Sequence, residues 1–315
     1  MSVYTELSEQ DVMHLLADYD LGVYVRHQGI SAGVENTNYF VSTDQHELVL
    51  TVFEKHSADE LPFFLQLGEH LHARHCKVPQ PFRDRDGQFL QIVKGKPAVF
   101  IERLTGQHVQ ASPACALKIA QALADIHNAT LSFQTDQRHS HNRGWIERQA
   151  SRVLPSLSAP DQQLMNAALA IIRAIPDDLP EGVIHADLFH DNALFDGNEV
   201  AGIIDWYFAG RDSYALDIAI TMNDWCLDTQ HQVDPEQCAA FIERYHQRRS
   251  LSSAERNALP KLQVQSALRF WISRLLAQAE HGESNDSITV KDPIPMREQC
   301  RQLLTRVREP GNEHR

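Results

Sequence analysis

The sequence predicts an α+β fold of two lobes: a small antiparallel β-sheet first, then a larger, mainly helical region interrupted by one β-hairpin. Three patterns predict it. Short runs rich in β-branched and aromatic residues recur over residues 21–101. From residue 105 the apolar residues take up helical spacing. Amid those helices, the apolar run that ends in Ala193-Leu194-Phe195 and the later Ile203-Ile204 flank Asp196-Gly197-Asn198-Glu199, a turn signal. The lobes are placed at residues 1–104 and 105–315.

Ser8 followed by Asp11 is a capping signal, and Val12, Leu15, Leu16 and Tyr19 form the helical stripe behind it. Residues 21–28, 38–43 and 48–53 read as antiparallel strands. Asp59 is the expected cap of a helix that tolerates Pro62 in its first turn, where the missing N–H has no intrahelical partner. Its packing stripe is Leu61, Phe64, Leu65, Gly68 and Leu71. Residues 89–93 and 97–101 pair across Lys94-Gly95-Lys96, which completes the sheet, and Glu102-Arg103-Leu104-Thr105-Gly106 leaves it as a hinge. Beyond the hinge, Ser112-Pro113 supplies a cap and an N1 proline for a helix to about His127. Further helices are expected over residues 161–175, closed by Pro176, and over 214–226. Asp234-Pro235 and Ser252-Ser253-x-Glu255 each open another, residues 261–279 are long and amphipathic, and 295–308 form the last, frayed beyond Glu309.

A formal net charge of -13 argues against nucleic acid or an anionic membrane as a partner. The five cysteines (Cys76, Cys115, Cys226, Cys238, Cys300) are scattered without a Cys-x-x-Cys pair. That points to free thiols in a reducing compartment rather than a disulfide framework or a zinc site. No basic-then-apolar signal opens the chain and no stretch approaches membrane-spanning length, so a cytoplasmic location is expected. Among seventeen histidines, His70, His72 and His75 lack the i, i+4 pairing of a zinc helix, while His139 and His141 lie in a polar loop; all five are expected at the surface.

Closing the hairpin makes Asn192 and Asp205 neighbours, with Asp187 in the loop that feeds the first strand. An amide oxygen and a carboxylate suit a hard cation such as Mg²⁺. The spacing His-x-Asp-x-x-x-x-Asn, followed by Asp, resembles the catalytic loop and metal-binding aspartate of protein kinases, a match to a known pattern. The resemblance implies ATP and Mg²⁺ as cofactors. Asn192 and Asp205 then hold the cation against the phosphates, and Asp187 takes the proton of an attacking hydroxyl. His185 orients this loop rather than transferring a proton, and Asp217, in Ala215-Leu216-Asp217-Ile218-Ala219, braces it.

Other positions carry two readings each. Gly29 and Gly33, in the turn over residues 29–38, either let the backbone approach phosphates or make a plain hairpin turn. Lys55, at the end of the third strand, shares a face with Thr51; it reaches phosphates from a shifted position or is a solvated edge lysine, with Glu69 as its candidate partner. Arg269 either holds a substrate carboxylate bidentately or is a surface arginine. Trp206, Tyr207 and Trp225 either line a substrate pocket or belong to the core.

The chain departs from protein kinases at Ala186, where they carry the arginine of His-Arg-Asp, and at Trp206-Tyr207, where they carry Phe-Gly; no Ala-Pro-Glu segment appears. It resembles instead the aminoglycoside phosphotransferase and choline kinase superfamily of small-molecule kinases, which has a bilobal, protein kinase-like fold. Within that superfamily it resembles the homoserine kinases. The stretches that carry this are Gly33-Val34-Glu35-Asn36-Thr37-Asn38, Leu50-Thr51-Val52-Phe53-Glu54-Lys55, Leu61-Pro62-Phe63-Phe64 and Pro79-Gln80-Pro81. Gly182-Val183-Ile184-His185-Ala186-Asp187-Leu188-Phe189, Ile204-Asp205-Trp206-Tyr207-Phe208-Ala209, Ala267-Leu268-Arg269-Phe270 and Lys291-Asp292-Pro293 continue it, so that it spans nearly the whole chain. It implies phosphorylation by ATP of the side-chain hydroxyl of L-homoserine, a step toward threonine. Residues 1–104 would be the nucleotide-binding lobe, with adenine near Glu102 and Leu104, and residues 105–315 the catalytic and substrate-binding lobe. The catalytic motif does not itself identify the acceptor. A kinase for choline, ethanolamine or an aminoglycoside, or a catalytically dead binding module, stays open, and oligomeric state is not read from the sequence.

Overall fold

In the computed structural model, which describes residues 4–30, 36–281 and 291–308, Ser8 and Asp11 form a reciprocal capping box on α1 (Glu9–Leu16). Two compact units meet in the chain between Thr105 and Gly106. The first unit carries a five-stranded antiparallel sheet of β1 (Tyr24–Ile30), β2 (Thr37–Thr43), β3 (Glu47–Val52), β4 (Gln91–Val93) and β5 (Lys96–Glu102), in the order β1-β2-β3-β5-β4. Period-two alternation puts Leu48, Leu50 and Val52 of β3 into one core with Val12, Leu15 and Leu16 of α1 and Phe100 of β5. Truncating a leucine at such a position costs about 2–5 kcal/mol.

Four expectations for this unit change. Helix α2 (Pro62–His72) has buried Leu61 at its N-cap and no side-chain cap, so Asp59 does not cap it; Pro62 at N1 needs no hydrogen bond there. Gly29 is a strand residue paired with Tyr39, not part of a turn, and Gly33 lies outside the described residues. Lys55 sits three residues beyond the end of β3 and is exposed, so strand alternation does not align it with Thr51, whose hydroxyl is instead spent on Asn38 Oδ1 at 2.8 Å. The half-buried cation here is Lys96, ion-paired with Glu54, which also accepts from the Thr37 hydroxyl. Glu69 makes a bidentate pair with Arg83 at 2.7 Å rather than with a strand lysine. Glu102 caps the end of β5, accepting from the Gln80 N–H at 3.3 Å, and Leu104 follows it half-buried.

The second unit contains helices α3 (Pro113–Thr130), α4 (Arg143–Val153), α5 (Ala159–Ile172), α6 (Tyr214–Trp225), α7 (Pro235–His246), α8 (Ser253–His281) and α9 (Ile294–Arg308). Ser112, Ser158 and Asp234 cap α3, α5 and α7 through their side chains. Two small antiparallel ladders lie among the helices: β6 (Glu181–Ile184) with β9 (Gly210–Ser213), and the hairpin β7 (Ala193–Asp196) with β8 (Glu199–Ile203). Helix α4 and the β6–β9 ladder were not expected. Two expected helices merge into α8, which runs through Pro260 because Leu259, Leu262 and Val264 bury its face on both sides of the lost hydrogen bond. Gly182 of β6 is obligatory, since a Cβ there would lie 1.8 Å from the Tyr214 hydroxyl.

Candidate active site

The site is built on the β7–β8 hairpin. Gly197, at φ +56°, and Asn198 close it, the register pairs Ala193 with Ile203, and the Ile204 N–H donates to the Asn192 carbonyl at 3.0 Å. That last bond sets Asn192 and Asp205 at the two open ends, as the sequence predicts. Asn192 ends a 3₁₀ turn, His190–Asn192, and its amide donates to the Asp187 carbonyl at 2.8 Å and to Asp187 Oδ2 at 3.1 Å. Those bonds use its Nδ2 donors, so Oδ1 is the atom of this side chain that could ligate a cation.

Asp217 of α6 braces the loop from below. Its Oδ2 accepts from the His185 N–H at 2.7 Å and its Oδ1 from the Ala186 N–H at 2.8 Å. Burial works against its charge, but the His127 ring and these amides hold the carboxyl below its usual pKa. His127 completes a chain to the Tyr245 hydroxyl, with Nε2 3.0 Å from Asp217 and Nδ1 2.6 Å from Tyr245. His185 is fully buried and kept neutral by burial. Its Nδ1 accepts from the Asp187 N–H at 3.1 Å, so Nε2 carries the proton and donates to the Ile204 carbonyl at 3.0 Å. Both nitrogens are spent on backbone. The ring is a strut between loop and hairpin, not a proton carrier.

Two non-glycine residues here adopt left-handed backbone, Ala186 at φ +65° and Asp205 at φ +61°. Such strain costs about 1–3 kcal/mol and persists where the surroundings over-determine it. Arg269 of α8 supplies the constraint on Ala186, donating from Nη1 to its carbonyl. The same arginine is 3% exposed, with its guanidinium 4.2 Å from the Phe270 ring centroid, and desolvation brings its pKa to about 10.

Asp187 is pushed up to about 7, first by burial and then by Asp205 and Asp191, against the attraction of Arg269 and Lys291. A carboxylate that titrates near neutrality suits a general base. Asp191 itself pairs with Lys291 at 2.8 Å, and His190 with Asp224 at 2.8 Å. Among the described residues no group of three or more His, Cys, Asp or Glu side chains could hold a metal alone. One amide oxygen and one carboxylate are nevertheless the hard donors that Mg²⁺ takes when phosphates supply other ligands, so Asn192 and Asp205 fit it.

Several expected site residues are placed differently. Arg269 is not a surface arginine: it is buried, its Nη1 donates to the Ala186 carbonyl, and its Nε is buried without a hydrogen-bond partner. Trp206 is buried, its Nε1 donating to the Ile203 carbonyl at 3.0 Å and its ring 4.5 Å from that of His185. Trp225, also buried, donates to the Leu188 carbonyl at 3.1 Å. Both are core residues supporting the loop. Tyr207 is half-buried, and burial raises its phenol. His139 is not a surface residue: it is 0% exposed, and burial followed by Arg269 lowers its pKa to about 3. His141, half-buried 4.2 Å from the Trp145 ring, is lowered to about 3 in the same way. The docking of residues 137–139 along β9, through Arg211 N–H to Gln137 O at 2.7 Å and His139 N–H to Arg211 O at 3.2 Å, has no local sequence signal.

Residues 26–251 match the model of a family described as the phosphotransferase enzyme family. The chain belongs to that family. Its relatives include the homoserine kinase of Methylobacillus flagellatus, 40% identical over 277 residues and covering 87% of each chain. The homoserine kinase of Neisseria meningitidis serogroup B is 36% identical over 299 residues, 94% of this chain and 98% of that one. Among solved structures, a microcompartment-associated aminopropanol kinase superposes with a TM-score of 0.71 at 18% identity, covering 94% of this chain and 95% of that one. Amicoumacin kinase hAmiN, in complex with AMP-PNP, Ca²⁺ and Ami, gives 0.69 at 15% identity over 96% and 93%. At these identities the structures establish the α+β protein kinase-like fold of this phosphotransferase.

Proposed function

We propose that the protein transfers the γ-phosphoryl group of ATP to the side-chain hydroxyl of L-homoserine, giving O-phospho-L-homoserine and ADP on the way to threonine. The observation that carries this reading is Asp187, a half-buried carboxyl at about 7 beside the Asn192–Asp205 pair. It stands in a chain whose relatives at 36–40% identity bear the name homoserine kinase. Asp187 orients the acceptor hydroxyl and takes its proton as the new O–P bond forms and the bond to ADP breaks. Asn192 Oδ1 and Asp205 would hold a divalent cation, which would supply neutralisation of the charge that develops on the transferring phosphoryl group. Gly29, Gly33, Lys55, Glu102 and Leu104 are the proposed nucleotide contacts of residues 1–104. Tyr207 remains a proposed acceptor contact. Arg269 and Trp206 serve the site by positioning its loop.

Among the described residues all five cysteines are free, which fits a reducing cytoplasm, and no helix is long and apolar enough to cross a membrane. An acceptor panel with coupled ADP detection tests the reading, using L-homoserine, L-serine, choline, ethanolamine and an aminoglycoside. L-Homoserine is expected to give a kcat/KM at least about a hundredfold above the others. A larger value for choline, ethanolamine or the aminoglycoside would reassign the acceptor, and no turnover of any acceptor together with absence of Mg·ATP binding in calorimetry would indicate a dead kinase.

A further inference from the structure

Away from the phosphoryl-transfer residues, the second unit holds a cavity of about 370 Å³. Its walls come from the start of α4 (Asn142, Arg143, Gly144), the segment after α5, the outer end of the β6–β9 ladder, and Leu262 and Gln265 of α8. None of Asp187, Asn192 or Asp205 lines it. Two polar atoms in this wall are buried without a hydrogen-bond partner, the acceptor Gln265 Oε1 and the donor Arg143 Nε. Gln265 is 4% exposed, so its orphaned oxygen carries a desolvation cost that no hydrogen bond within the protein offsets.

The two orphans ask for opposite partners. Arg143 already draws an anionic group: its Nη1 pairs with the carboxylate of the exposed Asp177 at 2.9 Å. Helix α4 begins there, at the positive end of its dipole, and Asn142 accepts from the Trp145 N–H at 3.2 Å. Arg138 and Arg211 add guanidinium groups, both drawn onto Glu181, at 2.8 and 3.4 Å. Gln265 Oε1 needs a donor instead, and the half-buried Asp212 carboxyl in the same wall, raised by desolvation to about 6, is still largely ionised at neutral pH and adds negative charge. A simple anion would leave Oε1 unmatched. A simple amine would leave the Arg143 Nε–H unmatched.

We propose that this cavity binds a free α-amino acid as its zwitterion, with the carboxylate at Arg143 and the start of α4 and the ammonium at Gln265 Oε1. The inference does not depend on which alcohol the enzyme phosphorylates. Isothermal titration of the whole protein with glycine, L-alanine, L-valine, L-glutamate and L-lysine, amino acids that lack the hydroxyl needed for turnover, tests it. Butyrate and butylamine serve as single-charge controls. At least one amino acid is expected to bind saturably, with Gln265→Leu and Arg143→Gln each weakening it at least about tenfold. Because Gln265→Leu removes an unsatisfied buried oxygen, its Tm is expected to match or exceed that of the parent, which keeps the binding result interpretable. Failure of every amino acid to bind, butyrate or butylamine binding as tightly as the zwitterion, or binding indifferent to Gln265→Leu would each overturn the proposal.

Discussion

Replacing Asp187 by asparagine should move activity and stability in opposite directions. The folded carboxyl titrates at about 7 against an ordinary value of 3.8, chiefly because it is buried. Its contribution is therefore favourable below pH 3.8, where both states are protonated, and is lost as pH rises through about 7, where the folded chain alone resists ionisation. At ~1.36 kcal/mol per pH unit, the cost of keeping this charge at pH 8 has a ceiling of about 4 kcal/mol, a figure that already includes the pull of Arg269. The side chain is partly exposed, so solvent screening reduces the expected effect to about 2 kcal/mol. Asparagine keeps the shape and can still accept from Asn192 without the charge.

Melting curves for both proteins in metal-free buffer at pH 5 and pH 8 read this out. The variant is expected to melt about 4–8 °C higher at pH 8, with a much smaller difference at pH 5. Its kcat, from coupled ADP release, should fall by about 10²–10⁴, the usual worth of a positioned general base, with ATP binding preserved. In the parent protein, kcat/KM should fall about tenfold per pH unit below about 7. A variant with parental turnover, or one that melts no higher at pH 8, would refute the picture of a buried base kept charged at the expense of stability.

Asp205→Ala should abolish Mg²⁺-dependent ATP binding in titration calorimetry, and an unchanged Mg·ATP affinity would place the cation elsewhere. Arg269→Met should lower kcat while leaving the KM for L-homoserine within about twofold, because the guanidinium holds the Ala186 carbonyl rather than substrate. It should also shift the acid limb of the pH profile upward, since Arg269 is the attraction that most lowers Asp187; a raised KM with constant kcat would restore a direct substrate role. Gly182→Ala, whose Cβ would lie 1.8 Å from the hydroxyl of buried Tyr214, should lower stability by about 1–3 kcal/mol in denaturant titration, and an unaltered midpoint would contradict that packing.

The legible parts of this sequence were those written in local chemistry. The capping box at Ser8, the Gly197-Asn198 turn and the Asp187–Asn192–Asp205 spacing each depend on residues close in the chain, and each stands as read. Asp217 was also legible, as a lone acid in an apolar helix. Its partners were not: His127 is 90 residues away and Tyr245 reaches it only through that ring. Helix α4 carried a readable stripe, Ile146, Ala150 and Val153, beneath a strongly polar surface. The histidines before it misled because polarity was taken for exposure, whereas His139 is buried by the docking of its strand on β9, against Gly210, where a Cβ would meet the His139 backbone at 2.5 Å. Lys55 misled for a different reason, because alternation predicts a face only while the strand lasts, and β3 stops at Val52.

The position that protein kinases fill with the arginine of His-Arg-Asp shows how long-range contacts replace a local residue. Alanine there has no side chain that can reach a partner, and at φ +65° its backbone is strained. The peptide groups on both sides of Ala186 are nevertheless pinned. Its own N–H and that of His185 are taken by Asp217, and its carbonyl by Arg269, 83 residues further on. One buried carboxylate and one buried guanidinium thus fix the turn from opposite sides, and each partly offsets the other's desolvation. Asp187 follows immediately, so the same two groups that make the strained turn tolerable also position the base, and Arg269 opposes the effect of burial on its ionisation. An exposed arginine in the loop could not do this, because solvent would screen it. The burial of Arg269 is therefore what gives it leverage over the Ala186 turn and the neighbouring carboxyl.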